Sequence, residues 1–393
     1  EQYLGLFLAL ALGAVFLGVK SHARGHAHRV PWYDWLLCLG GLAVGGYVVV
    51  LYPTIAYRLG VLTPDKVWLG ALAILLVLEA TRRLVGWVMV ALGAVFILYA
   101  KFAYLFPGPL SAKGSGWERI AVYLYLDTNG LFGFPLAVTA SIVVAFIFFG
   151  QALYAVGGDK FLTDLAMVAM GRYRGGPAKV AVVASSLFGT VSGSAVSNVV
   201  VDGAITIPMM KRTGYAPHMA AAIEAVASTG GQIMPPVMGV AAFLIAEYLA
   251  IPYGEVALAA VIPALLYYLA LFVQVDLEAA KYRLVGLPRD QLPRFRSVMG
   301  RGWSFLIPLL VLVYTLMIAV WQPGKAGMAA VITTLLVGAF QREDRLTLTK
   351  LLTAIEETGR VLLDLVAITA VAGFVIGVLQ LSGLGFKLSF LLV

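Results

Sequence analysis

Two polar, glycine-rich stretches hold the residue types that could do chemistry in an otherwise apolar chain. GTVSGSAVSN at 189–198 offers the hydroxyls of Ser192, Ser194 and Ser197 and the amide of Asn198, with Gly189 and Gly193 allowing close backbone approach. STGGQIMPP at 228–236 offers Ser228, Thr229, Gly231 and Gln232 as a facing set. Hard oxygen donors without a carboxylate cluster suit a monovalent cation better than Ca2+ or a transition metal. Ends of half-helices add free carbonyls for a cation and free N–H groups for an anion, so such a site can hold Na+ and a carboxylate side by side. Na+ is the natural ion for these donors, with H+ the alternative. Small residues also serve close helix packing in membranes. Packing explains neither the short limbs around the first stretch nor the two adjacent prolines, Pro235 and Pro236, in the second.

The elements that must position these residues follow from composition. The chain has 393 residues, 61% hydrophobic and only 12% charged, with a mean hydropathy of +0.93. Its apolar residues fall in blocks of the length a bilayer demands, so the chain is an all-α polytopic membrane protein lying in a lipid bilayer. The net charge of +8 sits in short loops between apolar blocks, which is a topology signal and excludes a nucleic-acid partner. Cys38, the only cysteine, lies in an apolar run, so there is neither a disulfide framework nor a thiolate metal site. His22, His26 and His28 stand with Lys20, Arg24 and Arg29 in a joint without carboxylates. That composition reads as a cationic loop at the headgroups rather than a metal site.

Blocks at 3–19, 33–52, 64–80 and 84–106 are expected to span, the third capped by Thr63 with Pro64 in its first turn. Glu79–Arg83 reads as a cytoplasmic joint. Residues 117–131 are too polar to span and are spaced as an amphipathic arm helix, followed by a spanning block at 136–156. Arg172, Arg174 and Lys179 mark one cytoplasmic joint and Lys211 with Arg212 the next. The tip at 189–198 divides the residues between them into limbs of roughly 9–12 residues, too short to cross about 30 Å at roughly 1.5 Å per residue. The segment therefore reads as a re-entrant hairpin that enters and leaves on the cytoplasmic side. After Pro217 comes one helix broken at 228–236, because two prolines and two glycines interrupt it there. Unwound polar backbone at membrane depth is tolerated only where it is buried in protein or lines a watery cavity.

A return helix at 254–275 leads into a basic loop, 276–301. From Trp303 the pattern begins again: blocks at 303–321 and 325–340, an amphipathic arm at 347–362 and a spanning block at 363–381. This order matches 64–156 with the opposite orientation, an inverted-topology repeat of the kind found in secondary transporters. The second hairpin this repeat calls for is missing from this chain, which is expected to be truncated. Asp202, Glu224, Glu247, Asp276 and Asp364 fall in or near apolar blocks, where a carboxylate is a functional hypothesis by default. Of these, Asp202, Glu224 and Asp364 are expected to be buried.

These motifs together resemble the membrane component of the tripartite ATP-independent periplasmic (TRAP) transporters. The resemblance runs through residues 171–179, Ser-Gly-Ser-Ala at 192–195, IPMMKRTGY at 207–215, STGGQIMPP and residues 251–258, and covers roughly 64–393. GGQIMPPVMG at 230–239 is most similar to the fused permeases that work with TAXI-type binding proteins. The resemblance implies an elevator-type transporter, not an enzyme, in a bacterial or archaeal inner membrane. Residues 1–63 would be small-subunit-like helices whose start is missing. Residues 64–393 would be the large-subunit-like scaffold and transport unit, with its end missing. It implies Na+ as coupling ion and a small organic acid delivered by a periplasmic TAXI-type substrate-binding protein. Substrate would lie against Ser192, Ser194, Asn198, Ser228, Thr229 and Gln232, and Na+ near Gly189, Ser192, Gly193, Asn198, Gly231 and Gln232. Three other functions compete. A divalent-anion/sodium symporter needs no binding protein. An intramembrane serine protease would use Ser192 or Ser194 with His218 as base, although His218 stands beside a basic joint. A channel would line its filter with the re-entrant loop.

Overall fold

The computed structural model describes residues 1–20, 30–58, 60–341 and 345–392, and the regular elements in them are helical. The histidine-bearing joint at 21–29 lies outside the described residues. Seven helical segments among the described residues are long and apolar enough to cross a bilayer: Trp32–Ala56, Trp87–Leu105, Phe134–Ala155, Tyr253–Lys281, Arg289–Ile318, Pro323–Phe340 and Leu348–Ser382. The blocks expected to span at 3–19 and 64–80 are not among the seven. The first is a helix of only 17 residues. The second carries charges at both ends, leaving an uncharged run only from Val67 to Leu78. The helices pack into two compact units, Glu1–Ala140 with Arg360–Val393, and Ser141–Gly359.

In the first unit α1 (Gln2–Gly18) and α2 (Trp32–Ala56) pack closely through glycines: a Cβ on Gly41 would lie 2.8 Å from the Leu12 Cβ. α3 (Pro64–Leu84) meets α5 (Trp117–Leu126) in the same way, since a Cβ on Gly70 would lie 2.5 Å from the Ala121 carbonyl oxygen. Cys38 is buried. Thr63 stands at the N-cap of α3 with Pro64 at N1, but its side chain makes no capping hydrogen bond. α4 (Trp87–Phe102) follows α3. The arm helix α5 is shorter than expected because the chain turns at Asp127, whose Oδ1 accepts the Asn129 N–H at 2.9 Å. α6 (Phe134–Val138) follows with Pro135 in its first turn and continues through a π turn at Thr139–Val143.

Three further expectations change here. Arg83 does not sit in a joint between helices: it is in the last turn of α3, its side chain 1% exposed, bound to Asp34 at 2.6 Å and Glu79 at 2.8 Å. Arg82 bonds the same Glu79. The second arm and its spanning block are one helix, Leu348–Ser382, because no proline or turn sequence separates them as residues 127–135 do in the first copy. Asp364 on that helix is only partly buried.

The second unit contains α7 (Val144–Ala155), α8 (Gly158–Met170), α9 (Gly176–Ser192), α10 (Ala195–Arg212), α11 (Pro217–Gly230), α12 (Val240–Tyr248), α13 (Tyr253–Lys281), α14 (Phe295–Gly302), α15 (Leu306–Val313) and α16 (Pro323–Phe340). α17 (Leu348–Ser382) begins in this unit, and the short α18 (Leu384–Leu392) closes the chain in the first. α8 is an additional helix not anticipated above: Asp159, Lys160 and Asp164 make it too polar to span, while Phe161, Leu162 and Ala166 bury one face. Asp276, expected in the 276–301 loop, lies in the last turns of α13 and pairs with Arg174 and, at 2.6 Å, with Lys179.

Candidate functional site

α9 and α10 form a helical hairpin whose turn is only two residues long. Gly193 ends α9 at φ +58°, a left-handed conformation that favours glycine, and a Cβ there would collide with the Met238 carbonyl oxygen. Ser194 caps α10, its Oγ accepting the Ser197 N–H at 3.3 Å. The limbs are 17 and 18 residues long rather than 9–12. Gly176–Lys179 join the first limb, where Pro177 suits the opening turn. Lys211 and Arg212 end the second, where cations complement the helix dipole. At about 1.5 Å per residue both limbs remain below about 30 Å.

The facing helix breaks later than expected. α11 continues through Ser228 and Thr229 to Gly230, and a single 3₁₀ turn at Gly231–Ile233 begins the break. The chain then runs through the cis Pro235–Pro236 bond and Met238, at φ +57°, to Gly239 before α12 resumes. The Gly239 N–H donates to the Gln232 carbonyl at 2.7 Å and closes the non-helical segment on itself.

Tip and break meet backbone to backbone. A Cβ on Gly189 would lie 2.5 Å from the Gly231 Cα, and one on Gly231 would lie 3.0 Å from the Gly189 Cα. Only glycine permits this approach from both sides. Behind the contact lies a buried polar layer. Asn198 is fully buried, and its Nδ2 donates to the Ser185 carbonyl at 3.1 Å. One turn further, Asp202 is fully buried, as are Glu224, Ser185, Thr206 and Ser228. Ser228 Oγ donates to Glu224 Oε1 at 3.2 Å, and Thr206 Oγ1 donates to Glu224 Oε2.

Tyrosines brace this region, and the motif search missed them. Tyr253 donates to the Pro236 carbonyl at 2.8 Å, Tyr267 to Val226 at 2.7 Å and Tyr268 to Ala227 at 3.0 Å, so α13 satisfies carbonyls in and just before the break. The buried Tyr154 hydroxyl lies beside the side chains of Ser192 and Ser197 without a hydrogen-bond partner. The signal available in sequence was the Tyr267–Tyr268 pair in an apolar helix, where a phenol needs an acceptor. Open clefts lie elsewhere in this unit. Clefts of about 450 Å³ beside α8 and α14 and about 1150 Å³ at the basic end of the hairpin are not lined by tip or break residues.

The sequence matches the description "Tripartite ATP-independent periplasmic transporter, DctM component" over residues 72–393. The chain belongs to this family. It is therefore a multi-pass inner-membrane protein of a transporter family, not an enzyme. Among its relatives is the uncharacterised protein YgiK of Salmonella typhimurium, 31% identical over 227 residues, 57% of this chain and 50% of that protein. The putative TRAP transporter large permease protein of Haemophilus influenzae is 28% identical over 239 residues, 60% of this chain and 56% of that protein. The C4-dicarboxylate TRAP transporter large permease protein DctM of Pseudomonas aeruginosa is 29% identical over 207 residues, 52% and 47% of the respective chains. This DctM-family chain spans about half the length of these curated relatives.

Of the residues predicted for the site, Gly189 and Gly231 form the backbone contact, with Asn198 Nδ2 3.3 Å from a Cβ built on Gly231. Ser192 is buried, its Oγ accepting the Ser194 N–H at 3.4 Å. Gly193 and Ser194 form the turn, and Ser228 reaches the polar layer through Glu224. Thr229 is placed apart: it is exposed, and its Oγ1 donates to the Ala225 carbonyl of its own helix at 2.7 Å. Gln232 is also exposed. His218 lies in the first turn of α11, at the opposite end of that helix from Ser228.

Proposed function

We propose that this DctM-family chain is the membrane permease of a binding-protein-dependent secondary transporter that takes up a small organic acid together with Na+. The observation that carries the reading is the glycine-only contact between hairpin tip and helix break, backed by a buried layer of oxygen donors. A capped helix end and an interrupted helix set free carbonyls and N–H groups beside each other, the arrangement that suits a cation and a carboxylate in one site. Na+ would lie near Gly189, Ser192, Gly193, Asn198 and Gly231, and the acid would bind the hydroxyls and N–H groups at Ser192, Ser194 and Ser228. Thr229 and Gln232 present exposed groups on the break and complete the set only from that exposed face.

In this reading the hairpin and the broken helix move together as an elevator, and α1 and α2 correspond to a fused small subunit. The partner is a TAXI-type periplasmic binding protein, and the acid is a small carboxylate, the class to which the C4-dicarboxylates in the name of the Pseudomonas aeruginosa relative belong. The test is uptake of labelled organic acids into proteoliposomes containing the full-length permease, with and without an inward Na+ gradient and the cognate binding protein. Uptake that needs both is the expected result. Uptake with Na+ alone would point instead to a symporter that works without a binding protein.

A further inference from the structure

The two carboxyls behind the hairpin tip are unequally satisfied. Asp202 and Glu224 are both fully buried, and neither forms an ion pair among the described residues. Glu224 has hydroxyl donors on both oxygens: Ser228 at 3.2 Å and Ser185 at 3.4 Å on Oε1, and Thr206 on Oε2. Asp202 has the shared Ser185 Oγ, 3.5 Å from its Oδ2, with the Thr163 hydroxyl beside it. A serine hydroxyl carries one hydrogen, so Ser185 can donate to one of the two carboxyls and not to both. Asp202 Oδ1 has no partner at all.

A second unpartnered oxygen stands beside it. Asn198 precedes Asp202 by one turn on the same face of α10, and side chains four residues apart on a helix are neighbours, with Cβ atoms about 5–6 Å apart. Asn198 Nδ2 is fixed by its bond to the Ser185 carbonyl, which leaves its fully buried Oδ1 without a partner. Both side chains thus converge on Ser185. With Tyr154 Oη, these are three of the six buried, unpartnered side-chain atoms among the described residues. Buried polar atoms are normally hydrogen-bonded, and exceptions call for an absent water or ion. Asn198 Oδ1 can only accept, as can Asp202 Oδ1 when the carboxyl is ionised, and a cation lying against both oxygens would satisfy them and hold the carboxylate in its charged form. The other groups facing Asp202 are Asp159 and Thr163 on α8 and, from α13, Tyr268, and none of them brings positive charge.

We infer that Asp202 is the charged ligand of the hairpin's cation: a monovalent cation binds between Asn198 Oδ1 and Asp202 Oδ1, one turn behind the tip. The inference rests on the Na+ reading of the tip and adds to it the negative charge that the serines and glycines cannot supply. One carboxylate and one amide oxygen suit a single positive charge, whereas Ca2+ collects several carboxylates. Glu224, already held by hydroxyls, acts by positioning Ser185 and Ser228 and does not touch the ion.

Equilibrium binding of radiolabelled sodium to the purified full-length permease in detergent tests this. Wild-type protein should bind sodium saturably. Asp202→Asn and Asn198→Ala should each raise the sodium concentration for half-saturation by about tenfold or more, the loss expected for a charge-bearing contact. Asp202→Asn should unfold at or above the wild-type temperature without sodium and lose the sodium-induced rise that wild type shows, which separates loss of the site from loss of the fold. Asp202→Glu, which keeps the charge, should recover part of the binding. Wild-type affinity in a folded Asp202→Asn protein would overturn the inference alone. A wild-type permease that binds no sodium would overturn the Na+ reading together with it.

Discussion

The two compact units treat their fully buried carboxyls differently. In the first, Arg83 is held by Asp34 and Glu79 at 2.6 and 2.8 Å, donates to the Val19 carbonyl at 3.1 Å and lies over the Phe16 ring. Lys66, also buried, donates to the carbonyls of Arg58 and Val61. Every charge in this set is closed by groups of the protein itself. In the second unit Asp202 and Glu224 are buried among hydroxyls, an amide and tyrosines, with no cation of the protein paired to them among the described residues. A closed network fixes helices, and an open one leaves a place for a guest. The same residue class, an acid in an apolar helix, is therefore structural at Asp34 and a binding candidate at Asp202.

Breaking the closed network should have the largest effect on stability. Arg83→Met leaves Asp34 buried without its partner and should destabilise the protein by about 3–5 kcal/mol, read as a lowered unfolding temperature in detergent. Arg83→Met combined with Asp34→Leu should recover most of that loss, and an unperturbed single variant would remove the distinction between the two units. Next comes Gly189→Ala, whose Cβ would press on the Gly231 backbone. Overpacking of this kind costs about 1–3 kcal/mol, and acid uptake into proteoliposomes should be lost. Asp202→Asn sharpens the comparison from the other side. Neutralising a carboxyl that has no ion-pair partner should leave stability unchanged or raise it while sodium-driven uptake falls. The smallest effect belongs to Arg174→Ala, because Arg174 is 52% exposed and Asp276 keeps Lys179. A surface pair of this kind contributes about 0–1 kcal/mol, and uptake should stay near the wild-type rate.

The hairpin and the break could be read from residues alone because their signals are local. Gly193 is suited to a left-handed turn, Ser194 to a cap, and Pro235 with Pro236 to a helix interruption. The burial of Asp202 and Glu224 followed equally from their setting in apolar sequence. Limb length did not, since the tip was taken as ten unwound residues, of which 189–192 and 195–198 prove to be helical, and the outer ends were counted from basic residues. Lys179 proves to lie inside the first turn of α9, largely buried against Asp276 and the Phe272 ring, rather than in a joint before it. Side-chain direction was also hidden. Thr229 and Ser228 are adjacent and chemically alike, yet helical phase sends one hydroxyl to its own backbone and the other to Glu224. Contacts between residues distant in sequence, such as the tyrosines of α13 on the break or Asp34 on Arg83, leave no trace in a motif. They arise only when packing brings the helices together.

The most direct test of the account is to follow labelled sodium and a labelled organic acid simultaneously into proteoliposomes containing the full-length permease and its binding protein. Sodium and acid entering in a fixed ratio, with both fluxes abolished together by Gly189→Ala, is the result the account predicts. Acid entering at full rate without sodium, or a Gly189→Ala permease that still carries both, would contradict it.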